Sequence, residues 1–266
     1  LWSVPSGSKL IIDATNCNYI DDDILEIIEN FRDYVAKSQE IQLNIIGMKS
    51  SYELNDQVQF VNILDRDAQQ KLTPEEILNI LKRGNERFVK GKWSEKYFKH
   101  QVNATAFGQN PIAVVLCCID SRTSPEIIFD TGLGDVLSIR IAGNIVSEEI
   151  LGSLELSCEK IGTKLIVVLG HSNCGAVSSA LNLLKDGNIS SITEKIEKSI
   201  DRNELIKNLQ PLGDESFNNI VKTNTKNSIQ KILDGSPVIA NKVKNNEYKI
   251  VSGFYDTSSG IVSFDE

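Results

Sequence analysis

The sequence predicts an α/β protein built on a mostly parallel sheet flanked by helices, with a separate strand-helix-strand segment in front. Three observations carry this. Short apolar, β-branched runs such as "PIAVVLCCI" and "KLIVVLG" read as strands covered on both faces. They alternate with helix-length amphipathic stretches, the order that parallel strands need for their crossovers. A first strand-helix-strand unit opens the chain and is followed by a stretch where periodicity lapses.

In chain order, "KLIIDA" (9–14) reads as a buried strand. From Asp21, "DDDILEIIENFRDYVAKS" places Ile24, Leu25, Ile27, Ile28, Phe31 and Val35 at helical spacing, and "IQLNIIGM" reads as a second strand. The "DDD" run suits a helix N-terminus, where negative charge meets unpaired N–H groups. A βαβ unit of two strands is short of a stable sheet, so residues 1–50 are expected to be part of a larger unit. Residues 51–70, with "DRDAQQK" and little apolar periodicity, read as a linker, and 71–266 as the main domain. "LTPEE" starts that domain's first helix: Thr73 caps, Pro74 fits the first position and Glu76 completes a capping box. Then come the strands "PIAVVLCCI" and "VLSIRIA", a helix in "SEEILGSLELSCEKIG" with Ser147 at its start and Gly162 just past its end, the strand "KLIVVLG" and a helix "CGAVSSALNLLKDG". A polar helical stretch from Ile189 to Asp234 precedes two closing strands, "YKIVSGFYD" and "IVSF", around the turn "TSSG".

Composition narrows the function. A net charge of −8 over 266 residues provides no basic field to displace counterions from phosphates, so nucleic acid is excluded as an expected partner. Five cysteines, at 17, 117, 118, 158 and 174, form no disulfide framework and point to a reducing compartment. No apolar stretch approaches the roughly 20 residues that span a bilayer, so a soluble, cytoplasmic chain is expected. It opens on Leu1, not methionine, and enters a strand almost at once, as a piece of a longer protein would.

Chemistry-bearing residues converge in two stretches. In "LCCIDSRTSPE", alternation along a strand puts Cys118, Asp120 and Arg122 on one side and Cys117 on the other, in the core. In "GHSNCGAV", His171 and Cys174 sit three apart where a strand meets a helix, and the helix start favours thiolate at Cys174. Both stretches fall at carboxyl ends of parallel strands, where ligand crevices form. Two cysteines and a histidine make a known set for catalytic zinc, leaving a fourth position open, and thiolates select zinc over magnesium or calcium.

These motifs, C-x-D-x-R at Cys118, Asp120 and Arg122 with H-x-x-C at His171 and Cys174, resemble those of the β-class carbonic anhydrases. The likeness extends to "LTPEEILNILKRGNERFVKGK", "GQNPIAVVLCCIDSR", "GLGDVLSIRIAGNIV", "GTKLIVVLGHSNCGAV" and "IVSGFYDTSSGIV", roughly residues 70 to 266. It implies a β-carbonic anhydrase-like fold, one zinc per chain held by Cys118, His171 and Cys174, and reversible hydration of carbon dioxide to bicarbonate. It further implies that Arg122 grips Asp120, which either orients the nucleophile or takes zinc's fourth position and shuts the site; the sequence leaves both open. Gln109 matches a glutamine that holds substrate from across a dimer interface, which implies a homodimer or larger assembly. Thr123 stands where the family usually has a hydrophobic residue and "SP" replaces a frequent double proline, changes expected to alter pocket polarity and to touch no ligand. His100, the one histidine outside the ligand set, has two readings, a proton shuttle and a solvated loop histidine, and the second is favoured.

The front segment, "SKLIIDATNCNYIDDDILEIIENF" with "IQLNIIGM", resembles the later part of a STAS domain, the cytoplasmic module of SulP-type anion transporters. That resemblance implies a fusion of transporter and carbonic anhydrase at the cytoplasmic face of a membrane. Asp22 stands where some STAS domains carry a phosphorylatable serine, which argues against phosphoswitching there. Two rival readings of the main domain are a non-catalytic, zinc-stabilised assembly or regulatory domain and a carbon disulfide hydrolase on the same scaffold. Asp120, Arg122 and Gln109 count against the first, since a structural site does not need them.

Overall fold

The computed structural model describes residues 1, 3–17, 19–46, 66–94, 98–106, 108–198, 200 and 213–265. The chain divides into two compact units, 1–58 and 59–266.

In the first unit, β1 (Lys9–Asp13) pairs in parallel with β2 (Gln42–Ile46), Lys9 opposite Gln42. They are joined by α1 (Asp22–Asn30), which runs on as a π-helical turn, Phe31–Ala36. The Asp21 side chain accepts the Asp23 N–H at 3.1 Å, so the acidic run is a helix cap. Phe31, Ala36 and Ile41 bury against Leu10, Val35 and Leu43. Period-two alternation turns Ile11, 61% exposed, and Ile46 to the opposite side of the sheet.

The second unit is a five-stranded sheet in the order β4-β3-β5-β6-β7. Its strands are β3 (Ala113–Cys117), β4 (Val136–Arg140), β5 (Leu165–His171), β6 (Lys249–Tyr255) and β7 (Val262–Asp265). The first four run parallel and β7 returns antiparallel. β3 and β5 are buried at every residue, which is why they read as unbroken apolar runs. One face of the sheet packs Val115, Cys117, Val167 and Leu169 against Ile77, Leu78 and Leu81. The other packs Val114, Leu116, Ile166 and Val168 against Leu154, Ile232 and Ile239. Each such fully buried aliphatic side chain contributes about 1.5–3 kcal/mol.

Among the described residues the helices of this unit are α2 (Arg66–Lys71), α3 (Pro74–Val89), α4 (Phe98–Thr105), α5 (Pro125–Ile128), α6 (Glu148–Glu155), α7 (Gly175–Leu181), α8 (Ser190–Glu197), α9 (Asp214–Gly235) and α10 (Pro237–Lys244). The capping box forms as expected: Glu76 N–H donates to Thr73 Oγ1 at 3.3 Å and Thr73 N–H to Glu76 Oε2 at 2.8 Å. The helix from Ser147 changes to a π turn at Leu156–Ile161 and ends on left-handed Gly162.

Two expectations change. Most of the stretch read as linker lies outside the described residues, but its end, 66–70, lies in the helix α2. Its anchor is buried Gln69, whose Nε2 donates to Pro111 O at 2.6 Å, and Arg66 bonds to Ile161 O. A polar side chain bonded to a distant carbonyl leaves no apolar period to read. The helix after Cys174 is also shorter than predicted, because the chain turns at Leu183, whose φ is +52°.

Candidate metal centre

The carboxyl ends of β3 and β5 lie side by side at the centre of the sheet, with Cys117 opposite Leu169. Cys117 is the last residue of β3 and is buried in the apolar core, where its thiol donates to Thr123 O at 3.6 Å. Burial pushes that thiol up to about 12, so it stays protonated and unreactive. Cys118, one step on, crosses to the other side and joins a different cluster, with Cys174, Ile145 and Val177. The division of labour between the two cysteines follows from this alternation.

Alternation does not extend to Asp120 and Arg122. The strand stops at Cys117 and a turn follows, closed by Thr123 N–H donating to Asp120 O at 3.0 Å. Arg122 donates its own backbone N–H to Asp120 Oδ1 at 3.0 Å, then Nε to Oδ1 at 2.9 Å and Nη2 to Oδ2 at 2.8 Å. This fork holds the Asp120 carboxyl well below the usual carboxylate range, chiefly through the Arg122 side-chain hydrogen bonds. Asp120, which the sequence left as either ligand or orienting group, is here committed to Arg122.

His171 ends β5 and is fully buried. Its Nδ1 lies 2.9 Å from Ser172 O; a carbonyl only accepts, so Nδ1 carries a proton, and in the neutral ring Nε2 is the nitrogen with the lone pair. Nε2 is buried with no hydrogen-bond partner among the described residues. Cys174 is the N-cap of α7, without a side-chain cap hydrogen bond. The Cys174 thiol donates to Cys118 Sγ at 4.0 Å. That bond draws Cys118 down, while Cys174 is driven up by holding the shared proton and by burial.

The Cys118, His171 and Cys174 donor atoms all lie within 4.8 Å of one another. Two thiolates each about 2.3 Å from a tetrahedral zinc stand about 3.8 Å apart, close to the 4.0 Å separation here. With an orphaned imidazole nitrogen beside them, the set fits zinc, the cofactor of the β-class enzymes that the motifs resemble.

Three residues around the site were misread or missed. Thr123, expected to affect only pocket polarity, is fully buried, and its hydroxyl contacts Cys118 O at 3.0 Å and Asp120 O at 2.8 Å. It thus does touch a ligand, through that ligand's backbone carbonyl. Arg140, at the end of β4, donates to the same two carbonyls, Nε to Cys118 O at 3.2 Å and Nη2 to Asp120 O at 2.5 Å. Gly143 N–H donates to Cys118 Sγ at 3.4 Å. Gln109 is exposed in the loop after α4, next to Gly134, and is not in the Cys–His cluster of its own chain. The backbone of His100 lies in α4; its side chain is outside the described residues.

A largely parallel sheet with a Cys₂His donor set and a forked Asp–Arg pair at its carboxyl edge defines an α/β protein with a candidate zinc site. The family model described as "Carbonic anhydrase" matches residues 113–262, more than half of the chain, and the protein belongs to that family. Carbonic anhydrase 2 of Mycobacterium tuberculosis is 42% identical over 127 residues, which are 45% of this chain and 61% of that protein. Arabidopsis thaliana beta carbonic anhydrase 6, mitochondrial, is 29% identical over 184 residues, 65% of this chain and 63% of its own. The chain thus spans about three fifths of the length of these relatives. One of two tetrameric beta-carbonic anhydrases of Sordaria macrospora shares the fold at a TM-score of 0.57 and 24% identity, over 62% of this chain and 86% of that one. The beta-carbonic anhydrase CcaA does so at 0.57 and 24%, over 71% and 95%.

Proposed function

We propose that this protein catalyses the reversible hydration of carbon dioxide to bicarbonate with one zinc held by Cys118, His171 and Cys174. The observation that carries the reading is the forked Asp120–Arg122 pair beside a buried Cys₂His set, a combination that a purely structural zinc site does not need. Zinc, when bound, is a Lewis acid that brings the pKa of a water near 7.

The chain's own residues do the rest. Asp120 Oδ1 is taken by two Arg122 donors, whereas Oδ2 receives one. Oδ2 therefore keeps acceptor capacity to take the attacking nucleophile's proton in a hydrogen bond and aim its lone pair. Arg122 keeps the carboxylate ionised and stops it from turning into the fourth ligand position. Ile145 and Val177, packed in the cluster with Cys118 and Cys174, give carbon dioxide an apolar wall and exclude bulk water. Gln109 holds substrate from across the interface of a homodimer or larger assembly, which its exposure in a single chain suits.

The first unit is the later part of a STAS domain, in this reading, and the parent protein a SulP-type transporter that the enzyme serves from the cytoplasmic face of a membrane. The parallel β1-α1-β2 order and the quoted motifs support it. Among the described residues no helix is long and apolar enough to cross a membrane, so any transporter would lie elsewhere in the parent chain. Sequencing the complete gene tests this: a reading frame without membrane-spanning segments removes it. For the activity, stopped-flow carbon dioxide hydration on metal-analysed protein is decisive. Zinc bound with no hydration anywhere between about pH 7 and 9, above the zinc-water range, overturns the reading.

A further inference from the structure

The long helix α9 crosses behind the metal centre without supplying a ligand. In its middle stand Asn224 and Ser228, one turn apart on the same face and each 2% exposed. Both residue types are poor helix formers because their side chains seek backbone partners, and here both have found them outside the helix. Asn224 Nδ2 donates to Gly143 O at 2.9 Å and Ser228 Oγ to Asn144 O at 2.9 Å. The two carbonyls belong to the turn Ala142–Asn144, whose Gly143 N–H donates to Cys118 Sγ.

From within, the turn is closed by Asn144 N–H donating to Ile141 O at 2.9 Å, a bond that does not engage the Gly143 N–H. Gly143 (φ +66°) and Asn144 (φ +42°) are both left-handed, and a Cβ at residue 143 would stand 2.6 Å from Ile196 Cδ1. The left-handed backbone therefore favours glycine there, yet glycine has the freest backbone of any residue. The aim of its N–H at the sulfur has to be set from outside, and the buried amide and hydroxyl of α9 are placed to set it.

We infer that Asn224 and Ser228 are positioning residues of the metal centre, fixing the Gly143 turn so that its N–H donates to the Cys118 sulfur and tunes that ligand. The inference rests on the Cys118, His171, Cys174 reading of the centre. A hydrogen bond to a thiolate withdraws electron density from it and fixes its direction. Outer partners of metal ligands typically change metal affinity about 10- to 100-fold when removed.

The test compares Asn224→Ala and Ser228→Ala with Ile232→Val, a change on the same helix that loosens the apolar core on the sheet's face instead. Zinc affinity is measured by chelator competition, and the thiolate-to-metal charge-transfer band is read on cobalt(II)-substituted protein. Each positioning variant should bind zinc about tenfold more weakly, with the cobalt band moved to longer wavelength, because a sulfur without its donor is more easily oxidised. Ile232→Val should lower the melting temperature and leave both unchanged. Folded Asn224→Ala and Ser228→Ala proteins with wild-type affinity and an unmoved band would overturn the inference; if one fails to fold, the other decides. Should neither fold, cadmium-113-loaded wild type decides: a scalar coupling between the metal and the Gly143 amide proton supports the inference, and its absence overturns it. A wild-type protein that takes up no metal sinks the metal-centre reading itself, a different failure.

Discussion

Arg122 closes a two-point fork on Asp120, with Nε on Oδ1 at 2.9 Å and Nη2 on Oδ2 at 2.8 Å, two residues away in the same turn. The contact is as local as a side-chain pair can be, yet it fixes the direction of a carboxylate beside the Cys–His cluster. Lysine can supply the charge but not the planar fork. Arg122→Lys is therefore expected to keep its zinc and lose about 10²-fold in kcat, the scale of a misplacement near 1 Å. Metal analysis and steady-state hydration kinetics on the same preparation check this; unchanged kcat would show that the fork is dispensable.

The same pair makes folding stability depend on pH. Asp120 in the folded chain is lowered from 3.8, with Arg122 hydrogen bonds as the largest cause. A lowered folded value means the unfolded chain binds the proton first, so the contribution is fully present above about pH 4 and lost progressively below it. Metal-free wild type should melt above metal-free Asp120→Asn at pH 6, and the gap should close as pH falls below 4. A gap that widens on acidification would contradict the sign.

The two adjacent cysteines are predicted to fail differently. Cys118→Ser should lose zinc and hydration together. Cys117→Ser should keep both and lose about 1–3 kcal/mol of stability, because it buries a hydroxyl in an apolar cluster. Zinc content and urea denaturation separate the two outcomes. Equal loss of zinc in both would mean that strand alternation has been wrongly assigned.

Thr123 holds the carbonyls of Cys118 and Asp120 from below while Arg140 holds them from the side. Because Arg140 still satisfies both carbonyls, Thr123→Val should cost only about 1 kcal/mol. Thr123→Ser, which keeps the hydroxyl, should cost less. Denaturant midpoints of the two variants give the comparison, and a valine variant as stable as wild type would remove the role assigned to that hydroxyl.

The sequence by itself determined the strands, since β3 and β5 are buried on both faces and their apolar runs have no other reading. It determined the start of α3, whose capping box spans four consecutive residues, and the placement of Cys118, His171 and Cys174, because short motifs sit at strand ends. All of these depend on neighbours in the chain. Only the tertiary structure decided that the Asp120–Arg122 fork arises from a turn and not from strand alternation, that Thr123 and Arg140 clamp the ligand loop, and that α9 reaches the Cys118 sulfur through Gly143. Gln69 bonding to Pro111 O, Arg140 to Cys118 O and Asn224 to Gly143 O join residues 42, 22 and 81 positions apart. A bond of that kind pairs one polar side chain with one backbone carbonyl and repeats with no period, so it becomes visible only when folding brings its two ends together.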